Sequence, residues 1–316
     1  PAITVDTRTA LTLPRLSAPA PTDTERPVRS VTTGPRGHEG EGFPVVRAFG
    51  GVSAAALDPF VHMDQMGEVE YLPGEPRGTD WHPHRGFETV TYMIDGRFAH
   101  QDSHGGGGLI GDGDTQWMTA GAGILHEEFH SSAYARTGGP FEMVQLWVNL
   151  PAKDKMAPAG YQAIRDADIP AVPLPDVAGA AGDAPAGQAR VIAGAYGAAR
   201  GPAHTFTPMN VWDVRVQAGR TVSLAQAEGW TGLLVALDGT VHINGQTELR
   251  AAQWATLSAE GSDIRIEASS DTKLLLLAGE PIDEPVLGYG PFVMNSRAEI
   301  AQAVTDFNSG TFGHMP

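Results

Sequence analysis

The chain has 316 residues, 21 basic against 37 acidic side chains, a formal net charge of −16 and no cysteine. With no cluster of Lys and Arg, that balance argues against direct nucleic-acid binding. The missing thiols exclude disulfides and thiolate ligands, so any bound metal must be held by His, Asp or Glu. No apolar run has the length of a membrane span and the N-terminus lacks the layout of a signal peptide, so a cytoplasmic location is expected. The 39 glycines and 24 prolines favour short strands and turns over long helices, and the length allows two domains.

Residues 1–27 are rich in Pro, Thr and Ala and predict an extended arm or tail. From Val28 the chain reads as short strands between turns. Residues 45–49 form one, closed by Gly50-Gly51, and residues 60–66 form a short apolar segment. A Pro/Gly loop at 72–78 leads into Trp81-His82-Pro83-His84. Residues 88–94 are β-branched and aromatic, with a hairpin turn at Asp95-Gly96 and a continuation at 98–100. Four consecutive glycines follow at 105–108, too flexible for a regular strand. A Gly-rich approach then reaches Gly121-Ala122-Gly123-Ile124-Leu125-His126-Glu127-Glu128, and residues 141–150 alternate as a buried strand does. Residues 28–150 are thus one expected barrel.

Residues 151–188, much of them Ala, Pro, Gly and Asp, read as a linker. The strand pattern resumes over 189–279, and Leu237-Asp238-Gly239-Thr240 echoes Ile94-Asp95-Gly96-Arg97, a weak internal repeat. Counting back from Gly239 as His82 lies back from Gly96 reaches Ala225, and the His84 equivalent is Ala227. His242 stands alone, so the second unit is expected to be metal-free. In the final segment, 280–316, Ser296-Arg297-Ala298-Glu299 is a capping box ahead of Ile300, Ala303, Val304 and Phe307, which predicts a helix over 297–307. The expected fold class is all-β, two barrels in tandem with a short C-terminal helix.

Two ligand pairs carry the chemistry: His82 with His84, and His126 with Glu128. Residues i and i+2 of a strand point to one face, about 6.6 Å apart. Two such strands facing each other in a small barrel would converge four ligands on one point. Three imidazoles and a carboxylate suit a divalent transition metal, iron(II) first, with Zn, Ni, Cu, Mn or Co as alternatives. Four protein ligands on an octahedral ion leave two positions open, as a catalytic site requires. Glu88 competes with Glu128 for the carboxylate role, because it lies four residues beyond His84.

The runs His82-Pro83-His84-Arg85-Gly86-Phe87-Glu88, Gln116-Trp117-Met118-Thr119-Ala120-Gly121 and Gly123-Ile124-Leu125-His126 resemble the pirin family of the cupin superfamily. Arg190-Val191-Ile192-Ala193-Gly194 and Gly288-Tyr289-Gly290-Pro291-Phe292-Val293-Met294-Asn295 are similar to it too. The resemblance implies two cupin barrels of jelly-roll type, with metal in the N-terminal one and a tail packed across them. It favours Glu128, whereas the general cupin pattern would choose Glu88. It implies quercetinase activity on flavonols or similar polyphenols with dioxygen, Glu128 or a metal-bound water acting as base. The alternative it carries is a regulator that binds a protein partner according to the metal's oxidation state.

Candidate walls for an aromatic substrate are Phe60, Met63, Met66, Trp81, Met118, Phe129, Met143 and Trp147. His130 has the parity of His126, while Glu127 should point away; His62, His100 and His104 read as ordinary hydrogen-bonded histidines. His62 and the glycine loop depart from the expected pattern where substrate would enter.

Overall fold

The computed structural model describes residues 24–179 and 184–314. The same unit occurs twice, a seven-stranded sheet facing a four-stranded one. In the N-terminal unit the large sheet runs Gly160–Ile164, Thr115–Thr119, Phe87–Asp95, Gly139–Asn149, Phe60–Tyr71, Phe43–Ala48, Arg36–Glu39. The small sheet runs Gly78–His84, Ile124–His130, Phe98–Asp102, Gly107–Ile110. The C-terminal unit repeats this strand for strand. Its large sheet runs Val28–Thr33, Gln253–Leu257, Thr231–Asp238, Thr272–Gly279, Met209–Val216, Gly187–Ala193, Ala171–Leu174. Its small sheet runs Thr221–Ala225, Asp263–Ala268, Thr240–Ile243, Thr247–Arg250. The Asp95-Gly96 and Asp238-Gly239 turns occupy equivalent places, as the internal echo suggested. This is a bicupin, all-β fold.

Each unit borrows an edge strand from outside its expected boundary. Val28–Thr33, expected in the first barrel, pairs antiparallel with Gln253–Leu257 of the second. The stretch 151–188, expected as a linker, supplies Gly160–Ile164 to the first barrel and Ala171–Leu174 to the second. These corrections share one cause. An edge strand needs only one partner and little apolar character, so composition does not reveal it. Most of the expected N-terminal arm, residues 1–23, lies outside the described residues. Arg26 at its end is buried and donates to the carbonyls of Gly261, Trp230 and Ala227 in the second barrel.

The two large sheets pack back to back. Val90, Tyr92, Trp117, Val144, Leu146 and Val148 of one face meet Leu233, Val235, Trp254, Leu275 and Leu277 of the other. Each fully buried indole removes roughly 200 Å² from water, worth about 5 kcal/mol before the entropy of ordering is subtracted. Polar pins cross the same layer: Tyr92 Oη donates to Asp213 (2.5 Å), Arg190 donates to Tyr92 Oη (2.6 Å), Lys273 donates to Glu142 and Gln65 donates to the Leu237 carbonyl (3.2 Å).

Inside the second barrel the positions matching the ligand strands carry Val222, Leu224, Ile264 and Ile266, all fully buried in an apolar core. These four side chains offer an ion no ligand atom. His242 lies on the outside, half-exposed, with Glu248 and Ser269 as neighbours.

The C-terminal helix spans Arg297–Asn308, one residue longer than predicted, with the Ser296 side chain accepting from Glu299 N–H and Glu299 accepting from Ser296 Oγ and Asn295 N–H. Ile300 and Ala303 pack with Phe292, Met294 and Phe312. Phe312 lies so close to Gly123 that a Cβ there would meet the ring at 2.6 Å.

Glu88 belongs to the layer between the barrels. It pairs with Thr119 and Val148, its Oε1 accepts from Thr119 Oγ1 (2.7 Å), and it is fully buried. Burial pushes its carboxyl up to about 7. The folded state therefore holds the Glu88 proton more tightly than the unfolded one, and stability falls as pH rises from about 4.5 to about 7. Glu88→Gln is expected to remove this slope and to raise stability at pH 8 by at most about 3 kcal/mol, while changing little at pH 4. Denaturant melts of both proteins across this range check it.

Candidate metal centre

The N-terminal barrel is stratified along its axis by strand register. At the closed end Met66, Met143 and Met93 lie side by side, within an apolar cluster that includes Phe43, Phe98 and Phe141. Two residues along each strand the row turns polar: Arg47, Asp64, Gln145, Thr91, Gln116. Two further along, it becomes His62, Trp147, Thr89, Met118, Tyr161.

The small sheet faces these rows with its own alternation. Along Ile124–His130, Ile124, His126, Glu128 and His130 are buried while Leu125, Glu127 and Phe129 are half-buried on the outer face. Across the ladders His126 pairs with His82 and Asp102, and Glu128 with His100. An irregularity in the ladder at Asp80–Trp81 lets His82 sit opposite His126 while Glu128 sits opposite Thr79.

These ladders bring the ligand-type atoms of His82, His84 and His126 within 4.8 Å of one another, and those of His100, His126 and Glu128 likewise. The His82 and His126 rings are 4.2 Å apart, His84 and His126 4.9 Å. His84 Nδ1 and His126 Nε2 are buried without a hydrogen-bond partner. Burial pushes both imidazoles well below the ordinary histidine range, the neighbouring His82 adding to the effect. They are neutral at pH 7, the form that binds a metal. His82 Nδ1 is turned to the Asp80 carbonyl (2.7 Å), which leaves its Nε2 to the site.

Glu128 is buried, and both its oxygens are held. Oε1 accepts from Gln116 Nε2 (2.8 Å) and Thr91 Oγ1 (3.1 Å), and Oε2 from Gln145 Nε2 (2.9 Å). Glu88 points the other way. The turn at Arg85-Gly86 separates His84 from Glu88, so they lie on different strands of different sheets and counting parity from His84 does not apply.

The expected wall residues scatter. Phe60 and Met63 lie in the core between the barrels. Trp81 is half-buried in the irregular stretch of its ladder, and Phe129 lies on the outer face of the small sheet. Met66 and Met143 lie at the closed end. Met118 and Trp147 share a row facing the histidines, with the Trp147 ring 5.4 Å from His84. His130 lies in an aromatic cage of Phe43, Tyr71, Phe98, Tyr134 and Phe141, where burial pushes it down to about 4.

Thr91, Gln116, Gln145 and Tyr161 were not singled out by sequence. They sit 17 to 37 residues from Glu128 or His126 along the chain, or in the case of Gln116 across a turn, so only sheet register brings them there.

The chain matches the Pirin family over residues 42–148 and the Pirin C-terminal cupin domain over residues 211–313. A Pseudomonas aeruginosa relative, provisionally named a quercetin 2,3-dioxygenase, is 50% identical over 275 residues, covering 86% of this chain and 93% of its own. Human pirin is 37% identical over 281 residues, covering 87% and 90%. Among solved structures, a quercetin 2,3-dioxygenase from Acinetobacter baumannii is 46% identical with a TM-score of 0.86, covering 93% of this chain and all of that one.

Cobalt(II) or nickel(II) titration tests the geometry. His126→Ala and Glu128→Gln are each expected to weaken binding by about 100-fold or more, whereas Glu88→Gln leaves it within about twofold. Equal loss in Glu88→Gln would contradict the assignment of Glu88 to the inter-barrel layer.

Proposed function

Because the chain belongs to the pirin family, we propose that its N-terminal barrel is a metal-dependent dioxygenase site of the quercetin 2,3-dioxygenase type, acting on flavonols or similar polyphenols. The observation that carries this reading is the convergence of the His82, His84 and His126 imidazoles, with Glu128 two residues beyond His126 on the same strand and held by Gln116, Thr91 and Gln145. The donor set fits a divalent transition metal: two buried ring nitrogens lack any other partner, and no thiolate competes. His82, His84, His126 and Glu128 would hold it, and iron(II) is the expected ion, although the set accepts nickel, cobalt, zinc, copper or manganese as well. When bound, such an ion supplies Lewis acidity and an electron path between flavonol and dioxygen.

The chain's own residues do the rest. The row Trp147, Thr89, Met118 and Tyr161 faces the histidines and supplies a flat, mostly apolar wall for an aromatic ring. Glu128 is the base that takes the proton of the flavonol 3-hydroxyl. Gln145 on Oε2 and Gln116 with Thr91 on Oε1 fix the plane of its carboxylate, so the proton is received at a set position. Dioxygen then adds to C2 and C4 of the heterocycle, the C2–C3 and C3–C4 bonds break with cleavage of the O–O bond, and C3 leaves as carbon monoxide.

Among the described residues no helix is long and apolar enough to cross a membrane.

Aerobic incubation with quercetin is expected to bleach its visible absorbance with the iron-loaded protein and not with the metal-free protein. Glu128→Gln should lower the rate by about 100-fold or more. Stoichiometric iron uptake without bleaching would overturn the oxygenase reading in favour of a metal-dependent partner-binding role.

A further inference from the structure

Two buried polar side chains inside the same barrel take no part in the reaction described above. Asp102 and His100 lie on the strand next to His126, both almost fully buried. Asp102 Oδ1 accepts from the backbone N–H of His104 (2.8 Å) and of Gly106 (2.9 Å). Its Oδ2 lies 3.2 Å from His100 Nε2. Burial pushes the Asp102 carboxyl up, but hydrogen bonds from His100, Gly106 and His104 outweigh this and hold it below the usual carboxylate range. A carboxylate only accepts, so His100 Nε2 carries hydrogen.

The far side of the His100 ring is fixed independently. The Gln116 amide nitrogen donates to Glu128 Oε1, and Gln116 Oε1 accepts from Tyr161 Oη (3.1 Å). The same amide nitrogen lies 3.4 Å from His100 Nδ1. An amide N–H facing a ring nitrogen requires that nitrogen to accept, so the His100 hydrogen sits on Nε2 and its lone pair on Nδ1. His126 Nδ1 is 3.3 Å from that lone pair. Two facing lone pairs would repel, so His126 carries its hydrogen on Nδ1 and shares the His100 acceptor with the Gln116 N–H, which leaves a lone pair on Nε2, the buried atom without a partner.

We infer that Asp102 and His100 form a positioning relay that fixes His126 in its Nδ1–H tautomer and aims Nε2 at the metal. The inference rests on the metal-centre reading above. It also accounts for the glycine run. The loop must approach the Asp102 carboxylate closely enough to donate two N–H groups, and a Cβ at Gly106 would meet Asp102 Oδ2 at 2.0 Å. The loop at 105–108 thus anchors the outer end of a chain of contacts whose inner end is a metal ligand.

Asp102→Asn tests the relay because the loop dictates how the new amide sits. The two backbone N–H groups keep its oxygen on the loop side, so its NH2 faces His100. His100 Nε2 must then accept, the hydrogen moves to Nδ1, and His126 is driven to the Nε2–H form that cannot ligate. Cobalt(II) affinity, measured by chelator competition, is expected to fall about 10- to 100-fold, with the metal-free melting temperature reporting on folding. Adding His100→Ala to Asp102→Asn should recover part of that loss, since nothing then imposes the wrong tautomer. Gly106→Ala, in the surface loop, should weaken binding in the same direction.

Long-range proton–nitrogen spectra of the unmodified metal-free protein give a readout independent of any variant: His100 as the Nε2–H tautomer and His126 as Nδ1–H. The opposite pair of tautomers overturns the relay, as does a folded Asp102→Asn protein with unchanged cobalt affinity or with no recovery on adding His100→Ala. If the unmodified protein takes up no cobalt, it is the metal-centre reading that fails.

Discussion

A buried imidazole nitrogen without a hydrogen-bond partner costs about 1–3 kcal/mol, and among the described residues this barrel keeps three, on His130 in its aromatic cage and on His84 and His126, whose rings lie 4.9 Å apart. Much of the surrounding structure keeps the last two nitrogens neutral, dry and directed inward. The ladder between Gly78–His84 and Ile124–His130 places the histidines opposite one another. The large sheet supplies the amide and hydroxyl donors that hold Glu128 beside them. An apolar core would have been cheaper at these positions, as the second barrel shows with valine, leucine and isoleucine in the matching places. The cost is therefore the signature of a site rather than of a scaffold.

The back-to-back packing of the large sheets explains how one barrel can keep a polar interior without losing stability. Odd and even positions of each strand serve different cores. Val144, Leu146 and Val148 anchor the barrel to its twin, while Met143, Gln145 and Trp147 on the same strand face inward. The inter-barrel layer is continuous and apolar with two or three polar pins, so the interior is free to carry chemistry. The borrowed edge strands reinforce the arrangement, because Val28–Thr33 and Gly160–Ile164 each extend the large sheet of a barrel at its edge.

The C-terminal segment packs against the turns that flank the two candidate-ligand strands. Arg85, next to His84, donates to Asp306 and to the Ala122 carbonyl and lies over the Phe312 ring. The buried Lys155 ammonium donates to the carbonyls of Gly86 and Val293 and to Asn149 Oδ1, and burial pushes it down to about 8. The turns at Arg85-Gly86 and Ala122, next to the strands that carry the candidate ligands, are therefore tied to the tail. The order of the site depends on residues more than 130 positions away in sequence.

Sequence by itself determined the class of the fold and offered the candidate ligands of the site. Strand alternation and turn residues are local signals, so the hairpins at Asp95-Gly96 and Asp238-Gly239, the helix capped by Ser296 and the two i, i+2 pairs of candidate ligands could be read along the chain. The choice between Glu88 and Glu128 was not, because the turn at Arg85-Gly86 resets strand parity and sends Glu88 to the opposite face of another sheet. Nor were Asp102, His100, Gln116 and Gln145 as supports, nor the placement of Phe60 and Met63 between the barrels. Those depend on which strands become neighbours, a property of sheet register and packing that no local pattern encodes.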